Sequence, residues 1–184
     1  MYKGLPTLFM KSVVLGGLLV FFSIGAGFLS GCEQGSCENI TCLNGGTCRN
    51  GRCQCPVGFE GPRCETKWTD RWIGTYTVDD RCRQVGLIPQ YEGRVSPSTV
   101  YADVLYLEPF GNLTCEGGQA VKVEGRLTSG NQLRIEQQAV CNRRYSISGD
   151  GSYDQSRRAF TVTYMIRDFQ TGLTDTCTAT WLKY

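Results

Sequence analysis

The chain has 184 residues, with 19 Lys and Arg against 17 Asp and Glu, eleven Cys and no His. That length admits one medium domain or two small ones. The missing His excludes Ser-His-Asp and Cys-His catalysis and every His-ligated zinc or haem site, and a formal net charge of +2 gives no electrostatic case for nucleic acid.

The N-terminal stretch carries Lys3 and Lys11, and then no charged residue from Ser12 to Gly31. Twenty uncharged residues are long enough for a membrane-spanning signal anchor at about 1.5 Å per residue. The stretch instead ends in Leu29-Ser30-Gly31-Cys32, which resembles the lipobox of bacterial lipoproteins. The resemblance implies a signal peptide over 1–31, a diacylglyceryl thioether on Cys32 and a lipidated tether over 32–36. A second acyl group (palmitate-like) on the new amino terminus would make the anchoring durable. Cleavage would remove two cations and no acid, leaving 17 of each sign. The expected location is the cell envelope, at the outer membrane, on its periplasmic or its outer face.

Six cysteines follow: Cys37, Cys42, Cys48, Cys53, Cys55 and Cys64. A segment this short cannot bury a useful core, so cross-links must hold it in the oxidising compartment that this Cys content implies. Arithmetic alone leaves fifteen pairings. Leu43-Asn44-Gly45-Gly46-Thr47-Cys48, followed by Cys55-Pro56-Val57-Gly58-Phe59-Glu60-Gly61-Pro62-Arg63-Cys64, resembles an EGF-like domain, here 37–65. The family's pairing implies Cys37–Cys48, Cys42–Cys53 and Cys55–Cys64. Asn44-Gly45-Gly46 and Asn50-Gly51 are turn sequences that supply positive φ. Calcium is not expected: Glu33-Gln34-Gly35-Ser36 and a single Asn50 fall short of six or seven oxygen ligands. Zinc is disfavoured by the lack of a paired C-x2-C knuckle.

From Trp68 to Tyr184 there is no long helical periodicity. Short β-branched and aromatic runs alternate between turn signals, at the spacing of sandwiches and barrels. Strands are predicted at 72–78 (with Trp72, Tyr76 and Val78 on one face), 91–95, 100–107, 121–127, 133–135, 144–149, 160–166 and 176–181. The fold class is mainly β, and consecutive hairpins favour an antiparallel, roughly eight-stranded up-and-down barrel over 68–184. Cys82, Cys115, Cys141 and Cys177 allow three pairings. Barrel closure would bring the first and last strands together, which favours Cys82–Cys177 and leaves Cys115–Cys141. Trp72-Ile73-Gly74-Thr75-Tyr76 resembles the opening of lipocalins. With Thr174-Asp175-Thr176-Cys177-Thr178-Ala179-Thr180 near the end, the region is similar to small Bacteroidetes-type lipoproteins with a lipocalin-like barrel.

No Gly-x-Ser-x-Gly, phosphate loop or dinucleotide fingerprint is present, so no cofactor and no catalytic residue is assigned. Asp79, Asp80, Asp103 and Glu124 could pair for glycosidase chemistry only if the fold brings them together. Trp72, Tyr76, Tyr101, Tyr106, Phe160, Tyr164 and Trp181 either line a ligand cavity or fill the barrel. The expected function is a lipid-anchored, non-enzymatic envelope protein, with the EGF-like module displaying a barrel that binds a protein or ligand. A carrier of a small apolar ligand, or an inhibitor of an envelope hydrolase, is the alternative. A carrier needs a cavity of at least about 300 Å³.

Overall fold

The structure, a computed structural model, describes residues 36–184. The signal peptide expected over 1–31, the lipobox-like Leu29-Ser30-Gly31-Cys32 and the expected lipidation at Cys32 lie outside the described residues. Among those described, no helix is long and apolar enough to cross a membrane.

The first hairpin joins β1 (Thr47–Arg49) to β2 (Arg52–Gln54), with Cys48 opposite Cys53. Asn50 and Gly51 turn it with φ of 50° and 73°, and two positive values are what a type I′ turn demands. Three cystines, Cys37–Cys48, Cys42–Cys53 and Cys55–Cys64, hold the segment. A second short pair, β3 (Phe59–Glu60) with β4 (Thr66–Lys67), runs straight into a 3-10 turn at Trp68–Arg71.

Eight strands then close a barrel: β5 (Gly74–Cys82), β6 (Gly86–Pro97), β7 (Val104–Glu108), β8 (Val123–Ser129), β9 (Gln132–Val140), β10 (Tyr145–Asp154), β11 (Ala159–Asp168) and β12 (Thr174–Lys183). Each is antiparallel to the next, and β12 returns to β5 with Cys177 opposite Cys82. The expected fold class is therefore the observed one. Period-two alternation explains it: Tyr76, Val78, Asp80 and Cys82 of β5 are buried, as are Asp175, Cys177, Ala179 and Trp181 of β12.

Three local expectations change. Trp72 is not part of the first strand. Its backbone N–H donates to the Thr69 carbonyl of the 3-10 turn at 2.9 Å, and its ring closes one end of the barrel. The strand expected at 100–107 starts pairing only at Val104. The Ser98 hydroxyl accepts the N–H groups of Val100 and Tyr101, which takes them out of the ladder. The strand expected at 91–95 is instead twelve residues long, because its pairing with β5 continues through a register shift between Val78 and Asp80.

Alternating strand direction sorts the loops into two sets. Segments 83–85, 109–122, 141–144 and 169–173 gather at one end, here called the mouth. Segments 98–103, 130–131 and 155–158 gather at the other, where the cystine-rich module packs. The module and the barrel belong to one compact unit, Cys37–Tyr184. The Trp68 N–H donates to the Gly58 carbonyl at 2.9 Å. Glu60 pairs with Arg71, which also reaches Asn131 Oδ1 at 2.6 Å. Gly58 has φ +91°, and a Cβ there would lie 2.8 Å from that of Ala102, so this junction requires glycine.

Candidate functional site

The barrel interior is filled rather than hollow. Trp72, Tyr76, Phe160 and Trp181 form a stack at the module end, with Trp72–Phe160 and Tyr76–Phe160 centroids 5.0 Å apart and Phe160–Trp181 5.2 Å. The Trp72 indole N–H donates to the Gly130 carbonyl at 2.9 Å, and the Tyr76 hydroxyl donates to the Trp72 carbonyl. Closer to the mouth, Phe110 dips in from the β7–β8 loop and meets Tyr164 edge-on at 4.7 Å. Tyr101 is exposed and Tyr106 only half-buried, so those two stay out of the interior.

One carboxylate lies within this aromatic interior. Asp80 is 1% exposed. Its Oδ2 accepts the Tyr164 hydroxyl at 2.7 Å and the Tyr91 hydroxyl at a longer 3.4 Å. Tyr91 is held by accepting the Gly111 N–H at 3.1 Å. Asp80 Oδ1 has no hydrogen-bond partner. Desolvation pushes the Asp80 carboxyl above its ordinary value, against the lowering effect of both hydroxyls. Burial, together with the Asp80 charge, also drives the Tyr91 and Tyr164 hydroxyls far up.

Above this layer the mouth holds a cavity of about 170 Å³, with walls that include Cys82, Val85, Ile88, Leu113, Tyr164 and Leu173. It falls short of the roughly 300 Å³ of a small-molecule carrier site. Its rim is apolar and exposed at Val85 (63%) and Leu173 (40%). Two cystines frame it. Cys82–Cys177 crosses the β5–β12 closure, and Cys115–Cys141 ties the long β7–β8 loop to the β9–β10 turn. Asp80, Cys82 and Cys177 offer ligand atoms within 4.8 Å of one another. Both sulfurs belong to one disulfide, so a single carboxylate remains and no metal set forms.

The other acids singled out by type do not converge. Asp79 faces outward and accepts from Gln90 at 2.8 Å, Asp103 pairs with Arg126 at 2.6 Å, and Glu124 is exposed. Two arginine pairs sit beside turns, Arg143-Arg144 and Arg157-Arg158; Arg144 reaches Asp168 at 3.7 Å, while Arg143, Arg157 and Arg158 are exposed. The signal for the inward register of Asp80 was the alternation of Tyr76 and Val78, which continues two residues past the end of the strand predicted at 72–78. Phe110 carried no such signal, since it enters from a loop. The clamp on the β5–β6 turn was equally hidden. There Asp175 accepts backbone N–H groups from Arg83, Gln84, Val85 and Thr176.

Residues 32–64 match the EGF-like domain family. Over 34 residues the chain is 56% identical to the basement membrane-specific heparan sulfate proteoglycan core protein of Mus musculus, covering 18% of this chain and 1% of that protein. Over 88 residues it is 34% identical to Netrin-G2 of Mus musculus, covering 46% and 14%. The chain thus spans only a small part of the length of these relatives. Among solved structures, EF1p2_mFAP2b bound to DFHBI aligns with a TM-score of 0.47 and 12% identity, over 63% of this chain and 96% of that one. A protein of unknown function from Bacteroides ovatus aligns at 0.42 and 12%, over 61% and 41%. Residues 32–64 are an EGF-like domain, and a closed eight-stranded antiparallel barrel follows it.

Proposed function

We propose that this chain is a lipid-anchored, non-enzymatic envelope protein in which the EGF-like module displays the barrel and the barrel mouth binds a partner or ligand. The observation that carries this reading is the position of the mouth. Its exposed apolar rim lies at the barrel end opposite the one that packs on the module. The filled interior favours recognition at the rim over carriage of a ligand inside.

Two measurements test this reading. Radiolabelled palmitate should enter the wild-type chain and be lost in Cys32→Ser; continued labelling of the variant overturns the anchor. A photo-crosslinking side chain at Val85, on the rim, should give a discrete adduct in intact cells, and Leu173→Asp should abolish it. The same probe at Leu182, on the barrel wall, should give none. Adducts from the wall but not the rim overturn the mouth as the binding face.

A further inference from the structure

The mouth cavity has a charge character that its apolar rim conceals. Asp168 and Asp175 are among its lining residues, and no Lys or Arg is. Arg144 approaches Asp168 at 3.7 Å, and Asp175 is satisfied by backbone N–H groups. Asp80, one layer down, forms no ion pair among the described residues. Its partners are two tyrosine hydroxyls, both on Oδ2, while Oδ1 has none. A buried carboxylate without a counter-charge is costly to a fold, and such groups cluster at sites that a ligand completes.

Tyr164 links the two layers. Its hydroxyl donates to Asp80 at 2.7 Å, and the same residue lines the cavity. The Tyr164 oxygen keeps a lone pair to accept a hydrogen bond from above, and donating its own proton to Asp80 strengthens that acceptor. Tyr145 and Tyr164 are the aromatic residues in the wall; the Tyr145 ring already carries the Arg144 guanidinium 4.9 Å from its centroid, which leaves the Tyr164 hydroxyl as the group for a ligand to meet. The groups facing Asp80 are Tyr91 from β6 and Tyr164 from β11, with Asp175 of β12 beyond Tyr164. None of them supplies positive charge. A void of about 150 Å³ admits benzene, so about 170 Å³ takes one ring and a short arm but no acyl chain.

We propose that the mouth cavity receives a compact apolar cation, a single ring or branched alkyl group bearing one ammonium, whose N–H donates to the Tyr164 hydroxyl above Asp80. The proposal rests on the reading of the mouth as the binding face and names the chemistry of what enters it. An anion would meet three carboxylates, and a neutral apolar ligand would leave Asp80 uncompensated.

The test uses the full chain in detergent, with benzylammonium, benzyl alcohol and toluene as calorimetric probes. Benzylammonium should bind at least about tenfold more tightly than the alcohol, and Asp80→Asn should erase that preference. Val85→Trp, placed at the exposed rim, should weaken all three. Equal affinity for ammonium and alcohol, or a preference retained in Asp80→Asn, overturns the proposal while leaving the mouth a binding face. Absence of binding by all three also overturns it, and the crosslink from Val85 then decides separately whether the mouth engages a partner. Should Asp80→Asn fail to fold, the Asp80 carboxyl carbon in wild type serves instead. Its resonance should move to the ionised position on adding benzylammonium and stay unmoved by the alcohol. A resonance indifferent to both overturns the proposal.

Discussion

The Asp175 carboxylate holds the backbone N–H of Gln84 between its two oxygens, at 3.1 Å to Oδ1 and 3.0 Å to Oδ2. Arg83, Val85 and Thr176 complete the set, so one side chain of β12 satisfies the turn that joins β5 to β6. Desolvation opposes the charge, but these N–H groups outweigh it and hold the carboxyl below its ordinary value of 3.8. A depressed carboxyl stabilises the fold above its unfolded pKa and loses that contribution as pH falls through the folded value. Asp175→Asn should therefore lower Tm by several degrees near neutrality. The gap from wild type should close below pH 3.8, as read by calorimetry across a pH series.

Asp80 behaves oppositely. Its carboxyl is pushed up by desolvation, so its contribution is largest when protonated and falls as pH rises above the unfolded value. Tyr164→Phe removes the 2.7 Å donor that partly offsets this burial. The Asp80 pKa should rise further by carbon-detected titration. The variant should lose about 1–3 kcal/mol at neutral pH by chemical denaturation, and less in acid, where a neutral carboxyl needs the donor less.

Gly93 on β6 leaves room for Trp181. A Cβ at this position would run into the indole ring and lie 2.9 Å from Val78 Cγ2. Gly93→Ala should cost about 1–3 kcal/mol through overpacking. Adding Trp181→Phe should recover part of that loss, and a double-mutant cycle would measure the coupling.

The two barrel cystines close chain segments of different length, with separations of 95 residues for Cys82–Cys177 and 26 for Cys115–Cys141. Chain-entropy reasoning assigns about 4.7 kcal/mol to the longer and about 3.5 kcal/mol to the shorter. Paired Cys→Ser replacement should follow that order in denaturant midpoints. The Cys115 and Cys141 replacement should also loosen the β7–β8 loop, seen as faster amide exchange at Phe110 and Val121.

What the sequence made legible follows from periodicity and punctuation. Alternation along β5 marked Tyr76 and Val78 as sharing a face, and Asn50-Gly51 marked its hairpin, because both signals are local. The position of Trp72 was not legible, since its role depends on Gly130, fifty-eight residues away. Neither was the start of β7, where the Ser98 hydroxyl competes for backbone N–H groups. The inward register of Asp80 could be read from β5, but its two tyrosine donors come from β6 and β11. A site assembled from three strands has no signature on any one of them.

Closure of the barrel limits how this protein can be recognised. Every strand from β5 to β12 has a hydrogen-bonded neighbour on both sides, but β6 pairs with β7 only from Arg94 to Pro97, and β9 with β8 only from Gln132 to Arg134, so the rest of those two strands is paired on one side alone. Strand addition by a peptide or a second copy is confined to those one-sided stretches. Under the proposed reading of the mouth, a change in Val85 or Leu173 would alter recognition while the backbone scaffold stays the same.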